Sequence, residues 1–184
     1  MEWLLITGIV IVLAVVLMFF LYYNRFVRLL HQIENSLAQI DVQLKKRADL
    51  VPNLLESVKG YMKHEKSIIS EVTNARKSLI GAKNMQSKIK AGSQLEGALG
   101  RLFAIAENYP NLKANENFIQ FQNELSAIEN KIAYARQYYN DGVMSYNVST
   151  TTIPGKWFAS LYNFGKKDYL QIPEETRALP KVRF

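Results

Sequence analysis

The residues able to do chemistry are few, and they cluster. Lys45-Lys46-Arg47 is the densest polar run, with Asp41 and Asp49 on either side. Asp41 precedes Lys45 by four residues, acid first, the favourable order for a helical ion pair. Asp41 and Asp49 are eight residues apart, about 12 Å along a helix, which is too far for a shared-proton carboxylate pair. His31 and His64 are the two histidines and cysteine is absent, so thiolate, disulfide and iron–sulfur chemistry are excluded. His64 stands between Lys63 and Glu65, and neighbouring helical positions do not face each other. Gly92, Gly97 and Gly100 fit no phosphate-binding loop. The residues therefore predict no catalytic set, no metal and no cofactor. What remains is a basic cluster. It is either a solvated helix end that complements the dipole, or a contact for an acidic partner or a second subunit.

The apolar residues are unevenly spread along the 184-residue chain, which is 48% hydrophobic with a net charge of +7. No charged side chain occurs from Trp3 to Asn24. A helix over Trp3–Tyr23 is about 31 Å long, enough to cross a hydrocarbon core of about 30 Å. Trp3 at one end, and Tyr22 and Tyr23 at the other, suit the membrane–water boundary, with Arg25 and Arg28 immediately beyond. An acidic start, a long apolar run and bulky residues in place of a small-residue cleavage site argue for an uncleaved anchor. The basic flank predicts the N-terminus outside and the remainder in the cytoplasm. Residues 25–184 hold all 23 basic groups and 15 of the 16 acidic ones, a net +8. This charge suits a membrane surface; no nucleic-acid-binding motif accompanies it. About twenty helical residues after Arg25 put Lys45-Lys46-Arg47 roughly 30 Å from the bilayer. That is several Debye lengths of about 8 Å, so a protein contact is expected there rather than lipid.

Beyond the anchor the rhythm is helical. Phe118, Phe121, Leu125, Ile128, Ile132, Ala135, Tyr139, Gly142 and Tyr146 recur at steps of three or four, predicting one helix over 114–149. The same rhythm runs from Phe26 through Ile40, Leu44, Val51, Leu54 and Val58 to Leu79. Arg47 and Glu65 fall on core positions of that rhythm and are candidate breaks. Asp49 is a candidate N-cap, with Pro52 in the first turn of a restarted helix, the alternative being a kink at Pro52 within one helix. Residues 81–97 read as a mobile connection or fraying helix end. Tyr109-Pro110-Asn111-Leu112-Lys113 reads as a loop, with Asn115 or Asn117 capping the next helix. The expected fold is all-α: an N-terminal transmembrane helix continuing into an up-and-down antiparallel bundle of about four long helices. By composition the chain divides into an anchor at 1–24, a bundle at 25–153 and an aromatic tail at 154–184. Trp157, Phe158, Tyr162 and Phe164 crowd that tail. They pack on the bundle, meet lipid or contact a neighbouring subunit, and Pro173 to Phe184 is expected to be disordered.

Three blocks then resemble the LemA family. They are Ile40–Leu54 with Gly60-Tyr61 and His64-Glu65, Tyr109–Phe118, and Ile132–Asp141 with Tyr146-Asn147. The resemblance implies a bacterial protein with one N-terminal membrane helix, a cytoplasmic helical bundle and no established enzymatic activity. Some relatives are associated with magnetosome membranes, which implies a role in membrane organisation. Leu37 stands where tryptophan is common in the family, and Gly142 where alanine is common. The polar character of these blocks suggests bridges between helices and subunits. The combined expectation is a non-enzymatic, membrane-anchored scaffold that binds the lipid bilayer and self-associates. The alternative is an adaptor module for one cytoplasmic protein partner.

Overall fold

The computed structural model describes residues 1–170. Among them are six helices and no strand: α1 (Glu2–Lys59), α2 (Lys66–Gly81), α3 (Met85–Ala106), α4 (Pro110–Lys113), α5 (Glu116–Thr151) and α6 (Gly155–Leu161). The all-α expectation holds. The chain forms two compact units, one of residues 1–36 with 137–170, the other of residues 37–136. The units are divided by contact within α1 and α5, whereas the sequence segments at 24 and 153 follow composition. The expected disorder of Pro173 to Phe184 lies outside the described residues.

In the first unit, α1 begins as a helix exposed on every side through Met18. Its apolar run is the single candidate membrane span among the described residues. From Phe26 the pattern changes to one buried stripe, continued by Ile33 and Ser36. The opposing stripe on α5 is Tyr139, Gly142, Val143 and Tyr146. Gly142 has a packing reason: a Cβ there would meet Ile33 Cγ1 at 3.2 Å. The smaller residue lets the helices approach despite its cost of roughly 0.5–1 kcal/mol in helix propensity.

The second unit gathers five helical segments, from α1, α2, α3, α4 and α5. Its interior holds Ile40, Leu44, Val51, Leu54 and Val58, facing Ile68 and Val72, Leu95 and Leu102, and Phe118 and Ile132. Three local expectations are corrected. Residues 81–97 are ordered helix from Met85, because Asn84 and Ser87 form a reciprocal capping box. The Tyr109–Lys113 stretch contains a helical turn, α4, with Pro110 at its start. Asn115, as expected, caps α5: its side-chain oxygen accepts from the Phe118 amide at 3.2 Å.

The third correction concerns Pro52. The helix does not restart there, Asp49 is an interior helical residue, and α1 continues to Lys59. Proline has no N–H, so the carbonyl four residues earlier loses its usual donor. That carbonyl belongs to Ala48, which is buried, and Arg76 Nε of α2 donates to it at 2.8 Å. A neighbouring helix thus replaces the missing bond. The true break lies between Lys59 and Lys66, with Glu65, one of the two candidate breaks, at the N-cap position of α2. Arg76→Ala should destabilise the protein by about 1–3 kcal/mol through the orphaned carbonyl. In a Pro52→Ala background the restored amide should reduce that cost. Denaturant unfolding of the four proteins of this double-mutant cycle measures the coupling.

Candidate functional site

The basic cluster does not act as one patch. Lys45 and Lys46 are exposed, but Arg47 is only 3% exposed. Helical spacing explains the split, because Arg47 continues the stripe of Ile40 and Leu44 and points where they point. Its guanidinium donates to the Gly92 carbonyl at 3.2 Å and to the Glu129 carboxylate, and lies 3.5 Å from Glu96. One cation therefore ties α1 to α3 and α5. Gly92 permits the approach, since a Cβ there would collide with the end of Leu44. Burial holds the Glu96 carboxyl above its usual pKa, with a push from Glu129 that Arg47 and Arg136 oppose. The expected break at Arg47 is thus a buried junction, and Arg47 is removed from the exposed partner contacts predicted with Lys45 and Lys46.

Asp41 pairs with Lys88 of α3 at 2.6 Å, rather than with Lys45 on its own helix. Asp41, Lys45 and Asp49 share an open groove with Leu79, Ile80 and Lys88. Lys46 and Asp49 border a second groove with Glu124 and Lys131. Among the described residues, no group of three or more His, Asp or Glu side chains could hold a metal ion.

The boundary residues belong to the first unit. Trp3, Arg25 and Arg28 are exposed, and Arg28 Nε donates to the Asn24 carbonyl at 3.3 Å. Tyr22 and Tyr23 are instead engaged by the aromatic tail. Phe158 stacks on Tyr22, with centroids 5.0 Å apart and planes 12° apart. Tyr162 meets Phe19 and Tyr23 at 4.8 and 4.9 Å, and Phe164 meets Phe26 at 5.3 Å. Each such pair contributes about 0.5–1.5 kcal/mol beyond area burial. Of the four tail aromatics singled out by sequence, Trp157 alone points away from α1, at 64% exposed.

The backbone geometry behind this packing was invisible to periodicity. The Asn163 and Phe164 amides bond back to the Ser160 and Ala159 carbonyls, and Asn163 adopts φ 58°, a left-handed helix stop. The chain then returns along α5. Asn147 exchanges two hydrogen bonds with the Lys167 backbone, both 2.9 Å, and Asn140 exchanges two with Leu170. Seven helical residues span about 10.5 Å, and three extended residues about 10 Å, so the two spacings match. Tyr139 adds a bond to the Asp168 carbonyl at 3.0 Å. Elsewhere, Tyr109 donates to Glu65 at 3.0 Å and Asn115 donates to the Tyr61 hydroxyl at 3.5 Å, joining two distant blocks of sequence.

Those blocks now have a common setting. Residues 36–184 match the LemA family profile. The chain belongs to the LemA family. It is 24% identical over 194 aligned residues to magnetosome protein MamQ 2 of Paramagnetospirillum magneticum, covering 91% of this chain and 71% of that protein. It is 26% identical to magnetosome protein MamQ of Magnetospirillum gryphiswaldense, covering 80% of this chain and 64% of that protein. Identity to protein LemA of Metamycoplasma hominis is 28%, covering 74% of this chain and 64% of that protein. In this LemA-family chain, Asp41, Arg47, Tyr109, Asn115, Asn140 and Asn147 of the family signature form internal ties.

The charge balance around Arg47 is testable. With its carboxyl pKa raised, Glu96 binds a proton more tightly folded than unfolded, so its ionisation opposes folding as pH rises. Glu96→Gln removes that opposition. The variant should melt at or slightly above the parent at about pH 7, and the difference should shrink as Glu96 protonates towards about pH 4. Thermal melts across this range, followed by circular dichroism, check it.

Proposed function

We propose that this LemA-family protein is a non-enzymatic membrane scaffold, anchored by the apolar segment of α1 and assembling laterally through its helical bundle. The anchor crosses the bilayer with the N-terminus outside and the bundle in the cytoplasm. The observation that carries this reading is the change along α1, from apolar and exposed on every side to buried along one stripe from Phe26. An all-round apolar surface needs lipid, whereas a stripe needs other helices. The basic flank at Arg25 and Arg28 supports the orientation.

Self-assembly rests on the surface that remains. Tyr134 and Tyr138, one turn apart on α5, are 72% and 53% exposed. Lys45, Lys46 and Asp49 are exposed charges beside open grooves. Tethering to one membrane raises the effective concentration of neighbours, so weak contacts of this kind suffice. Two magnetosome proteins among the relatives support a role in membrane organisation.

Mass measurement of the full-length protein, extracted with its lipids at increasing membrane density, should show multimers that grow with density. Lys45→Glu with Lys46→Glu should shift that distribution while leaving the melting curve unchanged. A strictly monomeric particle at high density contradicts the scaffold, and a fixed complex with one other protein supports the adaptor reading instead.

A further inference from the structure

We propose that α6 is a second membrane contact, whose outward face, formed by Trp157 and Leu161, lies with Ile153 of the preceding turn in the boundary of the bilayer that α1 enters. The inference rests on α1 crossing that bilayer.

The position of α6 follows from its partners. Phe158 stacks on Tyr22, and both Phe158 and Tyr162 contact Phe19, at 6.2 and 4.8 Å. Phe19 lies within the uncharged run, five residues before Asn24. Five helical residues are about 7.5 Å, so α6 stands level with the last turns of the span, at the boundary between hydrocarbon and headgroups.

The two faces of α6 differ. Gly155 and Ala159 are buried and Phe158 is half-buried. Gly155 admits no Cβ, which would collide with the Ser149 carbonyl, so α6 packs closely against the end of α5. On the other face Trp157 and Leu161 lie four residues apart and are 64 and 68% exposed, and Ile153, in the turn before α6, is 68% exposed. Phe20 and Leu21 of α1, at the same level, are likewise exposed. The apolar surface of the span therefore continues onto α6. Lys156, Lys166 and Lys167 are exposed around it, the mixture expected of a helix lying in the headgroup region. Tryptophan suits that depth because its ring is apolar and its N–H needs a polar partner.

The arrangement is also fixed in place. The left-handed turn at Asn163 returns the chain to α5, and Asn147 and Asn140 hold residues 167 and 170 there. The segment that follows α6 is consequently held against α5. A lipid boundary removes the exposed neighbours of Trp157 from water without any rearrangement.

The chain has two tryptophans, so Trp3→Phe leaves Trp157 as the reporter. The full-length variant is placed at one copy per lipid nanodisc, with ordinary or acyl-brominated phosphatidylcholine and phosphatidylglycerol. Trp157 emission should be blue-shifted, fall about twofold in the brominated discs and resist aqueous iodide. Emission quenched by iodide but not by bromolipid overturns the inference. So does bromolipid quenching that is absent from single-copy discs, because a second copy would then be what orders this face. Flotation on a density gradient separates the two levels of failure. A protein that does not float with lipid overturns the anchor and the inference together, whereas one that floats with Trp157 in water overturns the inference alone.

Discussion

Backbone N–H and C=O groups that enter hydrocarbon find no water to bond, so a single segment crossing a bilayer has to be a helix. The remainder of this chain is organised around that requirement. The proposed span is the first part of α1, and α1 runs to Lys59 without a second start. A helix that leaves the membrane must change the distribution of its apolar side chains. Here the change falls between Leu21, exposed, and Phe26, fully buried. The aromatic tail is seated at that transition, with Phe158, Tyr162 and Phe164 on Phe19, Tyr22, Tyr23 and Phe26.

Long helices also determine where polar groups must be hidden. Pro52 would leave a buried carbonyl without a donor, and Arg76 supplies one. Arg47 occupies a core position and is matched by Glu129, Glu96 and the Gly92 carbonyl. Replacing such a junction with apolar residues is often neutral or stabilising, whereas leaving its buried cation with no counter-charge is costly. Its consequence here is specificity of register, since a single guanidinium meets groups on two other helices at once. Gln43 is an exception: its buried Oε1 has no partner among the described residues, and nothing in their structure explains it.

Much of the fold was legible in the sequence because helical burial is periodic. The α5 stripe from Phe118 to Tyr146 is buried or half-buried at every position named from the pattern. The same rhythm put Arg47 on the core side, yet charge argued for a break, and the partners that neutralise it lie 49 and 82 residues away. Pro52 misled for the same reason, because Arg76 is distant in sequence. Residues 81–97 looked mobile on composition, but a two-residue capping box orders their start. Asn140 and Asn147 were part of the recognised signature. Their role as clamps on residues 167–170 depends on matching a helical rise to an extended one, which no single-element pattern displays.

The central claim is that α1 passes from lipid on every side to protein on one side near residue 24. Single spin labels from residue 4 to residue 40, in the full-length protein in bilayers, measure this through oxygen and nickel-chelate accessibility. The account predicts high oxygen and low chelate accessibility around the whole helix as far as Leu21, except where Phe19 meets the aromatic tail. A helical period of about 3.6 residues should follow from Phe26. A 3.6-residue period with a chelate-accessible face already present between residues 4 and 18 would contradict it.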